Sequence, residues 1–289
     1  MCESWQVHLR AERKSPETVD SYATGVRQFL DWCRSTGTTP ELSRAAVNAF
    51  VAGILDRGAE PATARARQLS LRRFAEWLVD EEILDHNPLL GLKPPKLDDK
   101  HTPRLTDEQC TALVRACAGK DLRDRRDEAI VRFMLETAAR AGEVVAMGTA
   151  DVDLRRGIAV IRRGKGGKAR TVPFGPHTAR ALDRYLRLRR THRLADTPAL
   201  WLGDRGKGVS YDALHKTLKA RAAAAGIAGF HPHVLRHTAA QRWLSAEGSE
   251  GGLMAVAGWS RRDMLDRYTR ATAAERAADE ARRLGLGDL

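Results

Sequence analysis

Residues 152–173 read VDLRRGIAVIRRGKGGKARTVP, and this stretch decides the fold. On either side of it, apolar residues recur at the three-to-four spacing of amphipathic helices. Inside it the pattern changes. Val152, Leu154, Ile158, Val160 and Ile161, then Thr171 and Val172, form short β-like runs, and RRGKGGK at 162–168 is a glycine-rich turn between two strands. One short hairpin sheet in a helical chain predicts a mainly α fold with a small antiparallel β-sheet.

Downstream, the spacing predicts helices over about 177–190, 210–225, 233–246, 250–257, 260–268 and 273–284. Upstream, helices are predicted over about 107–118 and 122–139. Thr106 and Gln109 stand at capping-box spacing there, with Leu105 as a staple. Before these, NPLLGLKPPKLDDKHTPR is rich in proline, glycine and charge, which predicts a linker over 87–103. Residues 1–86 read as a helical domain. Ser15 caps a helix with Pro16 at its first position, Val19, Tyr22, Val26, Phe29, Leu30 and Cys33 line one face, and Gly37 ends it. A second helix runs from about Ser43 to Asp56. A third starts near Pro61 with Leu69, Leu71, Phe74, Trp77 and Leu78 as its apolar side. The expected layout is a helical domain (1–86), a linker (87–103) and a mixed α/β domain (104–289).

The chain has 289 residues, 49 Lys+Arg against 37 Asp+Glu, and a net charge of +12. Residues 1–92 hold 11 basic and 13 acidic side chains, so the excess lies downstream. That imbalance suits a polyanion such as nucleic acid; a GC-rich genome spelling surface positions as Arg gives the same count. No apolar run reaches membrane-span length, and the first residues lack an apolar signal core, which predicts a cytoplasmic protein with no membrane partner. Cys2, Cys33, Cys110 and Cys117 have no metal-ligand spacing and read as reduced packing thiols.

Several positively charged or titratable groups stand out for phosphate chemistry. Arg140 follows an apolar helix, with Glu143 three residues on to orient it or to cap the next helix. A guanidinium presents parallel donors to two phosphate oxygens. Lys165 occupies a glycine-flanked hairpin tip that can approach DNA closely, where it serves either as a proton donor or as a plain phosphate contact. Lys168 and Arg170 read as phosphate contacts. His233 and Arg236 stand three apart at a helix start and share a face; His237 reads as supporting or packing. Arg65, Arg67, Arg72 and Arg73 on the third helix are either a DNA-contacting surface or a solvated face. Tyr268 is a phenol of which about 0.1% is ionised at neutral pH, so as a nucleophile it needs a base or neighbouring cations.

Together the segments TAARAGE, RRGKGGKARTVPF, HPHVLRHTAA and AGWSRRDMLDRYTR resemble the tyrosine recombinase (phage integrase) family, in its compact Xer-like or simple integrase form. ERKSPETVDSYATGVRQFLDW and ARARQLSLRRFAEWLVDEEIL extend the resemblance to a SAM-like core-binding domain. The resemblance implies that Arg140 and Arg236 clamp a phosphate, Lys165 is the general acid, His233 moves a proton near the nucleophile, Trp259 stands where a second His is usual, and Tyr268 is the nucleophile. Thr137-Ala138-Ala139-Arg140 replaces the usual Thr-Gly-Leu-Arg, and Ala257-Gly258-Trp259-Ser260 the usual Leu-Gly-His-Ser. It further implies a site-specific recombinase working through a 3′-phosphotyrosyl link with no metal or other cofactor, acting on double-stranded DNA as a homotetramer. Whether a second recombinase or a directionality factor takes part stays open. The tail carries Ala271, Ala274, Ala278 and Leu284 on one face, to dock on a neighbouring protomer or on its own. A type IB topoisomerase-like enzyme and a DNA-binding relic that no longer cleaves are the alternatives.

Overall fold

A computed structural model of the chain describes residues 1–98, 103–162, 169–203, 208–269, 277–278 and 281–283. The chain forms two compact units, Met1–Lys100 and His101–Leu289.

Among the described residues the first unit has four helices: α1 (Cys2–Ala11), α2 (Pro16–Thr36), α3 (Arg44–Asp56) and α4 (Pro61–Asp80). Ser15 and Ser43 accept the Thr18 and Ala46 amides as N-caps, and Gly37 ends α2 in the left-handed region at φ 69°. α1 has no counterpart among the helices expected from sequence. It buries Trp5 and Leu9, one turn apart, against the ring cluster of this unit. α2 and α4 touch closely where Gly25 meets Ser70; a Cβ at Gly25 would lie 2.4 Å from the Ser70 Cβ. Leu69, expected on the apolar side of α4, is 40% exposed, and Gln68 and Ser70 are buried in its place.

The expected linker also begins later than its composition suggests. Leu89 is fully buried in the first core. Arg44 donates to the carbonyls of Pro88 (3.2 Å) and Leu90 (2.6 Å), and Gln68 Nε2 donates to the Lys93 carbonyl at 3.1 Å. Proline and glycine here shape a packed loop, and the apolar Leu89 and Leu92 anchor it.

The second unit contains α5 (Asp107–Ala116), α6 (Leu122–Thr137), the five-residue α7 (Ala141–Val145), a 3-10 turn at Thr149–Asp151, strands β1 (Val152–Asp153), β2 (Ile158–Ile161) and β3 (Arg170–Pro173), then α8 (Pro176–Arg190), α9 (Tyr211–Ala224), α10 (His233–Ser245), α11 (Glu250–Ala257) and α12 (Asp263–Thr269). The Thr106–Gln109 capping box is formed. The sheet is antiparallel in the order β1-β2-β3, with Ala159 opposite Val172 and Ile161 opposite Arg170. Ala159, Ile161 and Val172 enter the main core. A smaller core of alanines and leucines joins α10, α11 and α12: Ala138, Ala239, Ala240, Leu244, Leu253, Ala257 and Leu265 pack with Trp259 and Tyr268. Among the described residues no helix is long and apolar enough to cross a membrane. Most of the predicted tail helix lies outside the described residues. Residues 277–278 and 281–283 are helical, and Arg283 pairs with Glu247 of the same chain at 2.5 Å.

Candidate active site

Arg140 is the residue that caps α7, immediately after α6 ends with Ala138 in the left-handed region (φ 53°). That turn lifts Arg140 out of the α6 axis and leaves its side chain 25% exposed. Glu143, one turn later, is buried and accepts four N–H bonds. Two come from the Arg140 amide (2.8 Å) and Nη1 (2.9 Å), and two from Arg170 Nη1 (2.9 Å) and Nη2 (2.7 Å). Burial pushes the Glu143 carboxyl up, but the bonds from Arg170 and Arg140 outweigh it, and the net direction is down. Glu143 therefore both orients Arg140 and caps α7.

Arg170 corrects the sequence expectation. Read as a phosphate contact, it is only 11% exposed, and it also donates from Nε to the Val256 carbonyl at 2.7 Å. Its guanidinium is occupied in tying β3 to α7 and to the end of α11. In sequence it sits in a basic run, and nothing local reveals that Glu143 lies opposite.

Arg236 projects from α10 into the protein and is 2% exposed. Nη1 donates to the Ala138 carbonyl (2.5 Å) and Nη2 to the Ala257 carbonyl (2.8 Å), the C-terminal ends of α6 and α11. Burial, followed by repulsion from Arg140, lowers its pKa to about 10, so it stays a cation at neutral pH. The negative ends of two helix dipoles face it. Its guanidinium carbon lies 5.3 Å from the centre of the Trp259 ring. Trp259 stacks on Tyr268 with centroids 5.1 Å apart and planes at 20°. Both rings are buried, and Trp259 Nε1 makes no hydrogen bond among the described residues.

The Tyr268 hydroxyl is hydrogen-bonded to Nδ1 of His237. The His237 ring in turn meets the His233 ring edge-on, with centroids 4.7 Å apart. His233 and Arg236, expected to share a face, differ in burial: His233 is exposed at the α10 N-terminus and Arg236 is enclosed. The expectation of a merely supporting His237 missed its contact with the tyrosine, because i+1 from Arg236 carries no local signal for a partner 31 residues away. Arg140, Glu143, Arg236, His237, Trp259 and Tyr268 thus form one continuous cluster, with His233 at its edge. Lys165 and Lys168 lie outside the described residues. On α4, Arg65 and Arg73 are exposed, while Arg67 and Arg72 are half-buried, Arg67 donating to the Ser21 carbonyl at 3.4 Å and Arg73 pairing with Glu76 at 2.7 Å.

The phage integrase family matches residues 103–275, and the phage integrase N-terminal SAM-like domain matches residues 2–82. The chain belongs to the phage integrase family. These are the tyrosine-type site-specific recombinases. The recombinase is 30% identical to the tyrosine recombinase XerC of Chromohalobacter salexigens, over 91% of this chain and 89% of that protein. It is also 30% identical to the tyrosine recombinase XerD of Bifidobacterium longum, over 82% of each. Among solved structures it superposes on the XerA recombinase with a TM-score of 0.54 at 26% identity, covering 93% of this chain and 92% of that one. It shares its fold with the Tn1549 transposon integrase in complex with transposon right end DNA, at a TM-score of 0.76, 16% identity and 99% of both chains.

Proposed function

We propose that this recombinase cleaves and rejoins double-stranded DNA at a specific site through a 3′-phosphotyrosyl link to Tyr268. The observation that carries the reading is the meeting of Arg140, Arg236 and Trp259 with Tyr268 in one buried-to-exposed cluster. In this reading the Tyr268 oxygen attacks the scissile phosphorus and the 5′ oxygen leaves with a proton from Lys165. The free 5′-hydroxyl of a partner strand then reverses the step. Arg140 and Arg236 offer fixed positive charge to the phosphorane, and the unused Trp259 Nε1 offers one further donor to a phosphate oxygen. Such donors are each worth roughly 10²–10³ in rate. The phosphotyrosine conserves the bond energy, so no nucleotide cofactor or metal is needed. The family's solved relatives bound to core-site or transposon-end DNA support duplex DNA as the partner.

The first unit, with Arg65, Arg72 and Arg73 on α4, serves in this reading as the core-binding domain, residues 104–289 as the catalytic domain, and four protomers act on two duplexes. Covalent trapping tests it. Nicked duplexes tiled from the DNA flanking the gene are incubated with protein in EDTA and run on a denaturing gel. An adduct is expected with wild type and none with Tyr268→Phe, which still binds. An adduct surviving Tyr268→Phe would sink the reading.

A further inference from the structure

The resemblance assigns proton movement near the nucleophile to His233, yet the imidazole in contact with the Tyr268 hydroxyl is that of His237. A general base must reach the proton it removes, and Tyr268 is only 4% exposed, so its hydroxyl is largely shielded from bulk water. Two further contacts fix the pair. Trp259 stacks on the phenol, and the His233 ring meets the His237 ring edge-on. His237 is half-buried on α10, one residue from Arg236, so the base and the phosphate clamp ride on the same rigid helix.

We propose that His237 is a catalytic residue: it holds the Tyr268 hydroxyl in the DNA-free enzyme and takes its proton as the tyrosine attacks. This rests on the phosphotyrosyl reading above. In the forward step the Tyr268 O–H bond breaks, its proton passes to His237 Nδ1, and the phenol oxygen bonds to phosphorus. The bond from phosphorus to the 5′ oxygen breaks, and that oxygen takes a proton from Lys165. In the return step the incoming 5′-hydroxyl gives its proton to Lys165 and bonds to phosphorus, while His237 restores the proton to the departing tyrosine. Each group ends as it began, and no outside acid or base is consumed. His233, exposed at the helix start, backs the His237 ring.

The test uses the full chain with two readouts. In the first, protein without DNA is labelled at the tyrosine Cζ carbons. The four tyrosines give four signals, and that of Tyr268 is the one missing in Tyr268→Phe. His237→Asn and His237→Phe are expected to move the Tyr268 signal and leave the other three in place, while His233→Asn leaves all four nearly unmoved. In the second, single-turnover cleavage is followed on an adduct-forming nicked duplex whose bridging 5′ oxygen is replaced by sulfur. Departure then needs no proton, and the rate reports activation of the tyrosine. His237→Phe is expected to cleave about 10²-fold or more slowly at unchanged DNA affinity, and His233→Asn to lose less. A Tyr268 signal unmoved in both His237 variants, or cleavage within a few-fold of wild type, overturns the proposal. Failure of the underlying reading looks different: wild type then gives no Tyr268-dependent adduct, which overturns the proton transfer as well, while the carbon signal alone decides whether His237 holds the phenol.

Discussion

In the first unit Trp5 packs on Tyr22 and Phe74, Phe74 on Trp77, and Phe29 on Trp32 and Phe50. Gln68 and Ser70 are its buried polar side chains among the described residues. In the second unit Arg126, Asp127, Glu128, Glu143, Asp151, Arg189 and Arg236 are all buried. Arg126 and Arg221 share the Asp127 carboxylate, and Arg189 gathers the carbonyls of Ala195, Thr197, Ala199 and Leu200. The contrast teaches what each kind of interior is suited to. Rings give stability through burial and tolerate small shifts. Buried ions add little net stability, and their partners fix direction and distance. In the second unit Glu143 and Arg236, two of these buried ions, belong to the cluster that contains Tyr268.

The largest effect that would break this comparison comes from one substitution in each interior. Phe29→Ala should cost about 3–5 kcal/mol by leaving a cavity, and Glu143→Gln about 3–5 kcal/mol by leaving Arg140 and Arg170 without their counter-ion. Their pH dependence should differ. The folded Glu143 carboxyl sits below its usual 4.5, so its contribution is complete above about pH 4.5 and is lost as the pH falls through the folded value. Hydrogen exchange read segment by segment should show Phe29→Ala loosening Met1–Lys100 equally at pH 7 and pH 4. Glu143→Gln should loosen the second unit at pH 7 and bring variant and wild type closer together at low pH. Equal pH dependence of the two variants would end the distinction.

A smaller effect sharpens it. Gly37 and Gly258 both end helices at positive φ, 69° and 66°, but a Cβ at Gly37 meets nothing within 4 Å, while one at Gly258 would lie 2.9 Å from Arg170 Nη1. Gly37→Ala should cost roughly 1 kcal/mol of backbone strain. Gly258→Ala should cost more in unfolding experiments, and it should slow cleavage because Arg170 must yield. Equal costs and unchanged cleavage would show that Arg170 is free to move. The smallest effect is at Leu69. It is exposed on α4, so Leu69→Ser should change stability by less than about 0.5 kcal/mol in a denaturant titration. A loss of stability there would place Leu69 in the ring-packed interior after all.

Much of the fold was legible because its signals are local. Ser15, Ser43, Thr106 and Gln109 announce helix starts within three residues, and the strands around 158–173 alternate over only a few positions. The helix that Glu143 was read as capping could not be bounded because five residues hold too little periodicity, and α1 was missed because its buried pair, Trp5 and Leu9, is a single turn with no capping side chain before it. The packed start of the linker was hidden by prolines that mark both loops and flexible chain. At the site, Arg140, Arg236, Trp259 and Tyr268 stand out by residue type and order. The roles of Arg170 and His237 depend on partners 27 and 31 residues away, which spacing along one helix or strand does not reveal.

Arg236 is held by the last carbonyls of two helices, one 98 residues before it and one 21 residues after it. Neither carbonyl is in place until its helix has formed and docked. A half-made or partly unfolded chain therefore carries Arg236 and Tyr268 without the frame that holds Arg236 in place. The placement of this guanidinium is tied to completion of the fold rather than to any local stretch of sequence.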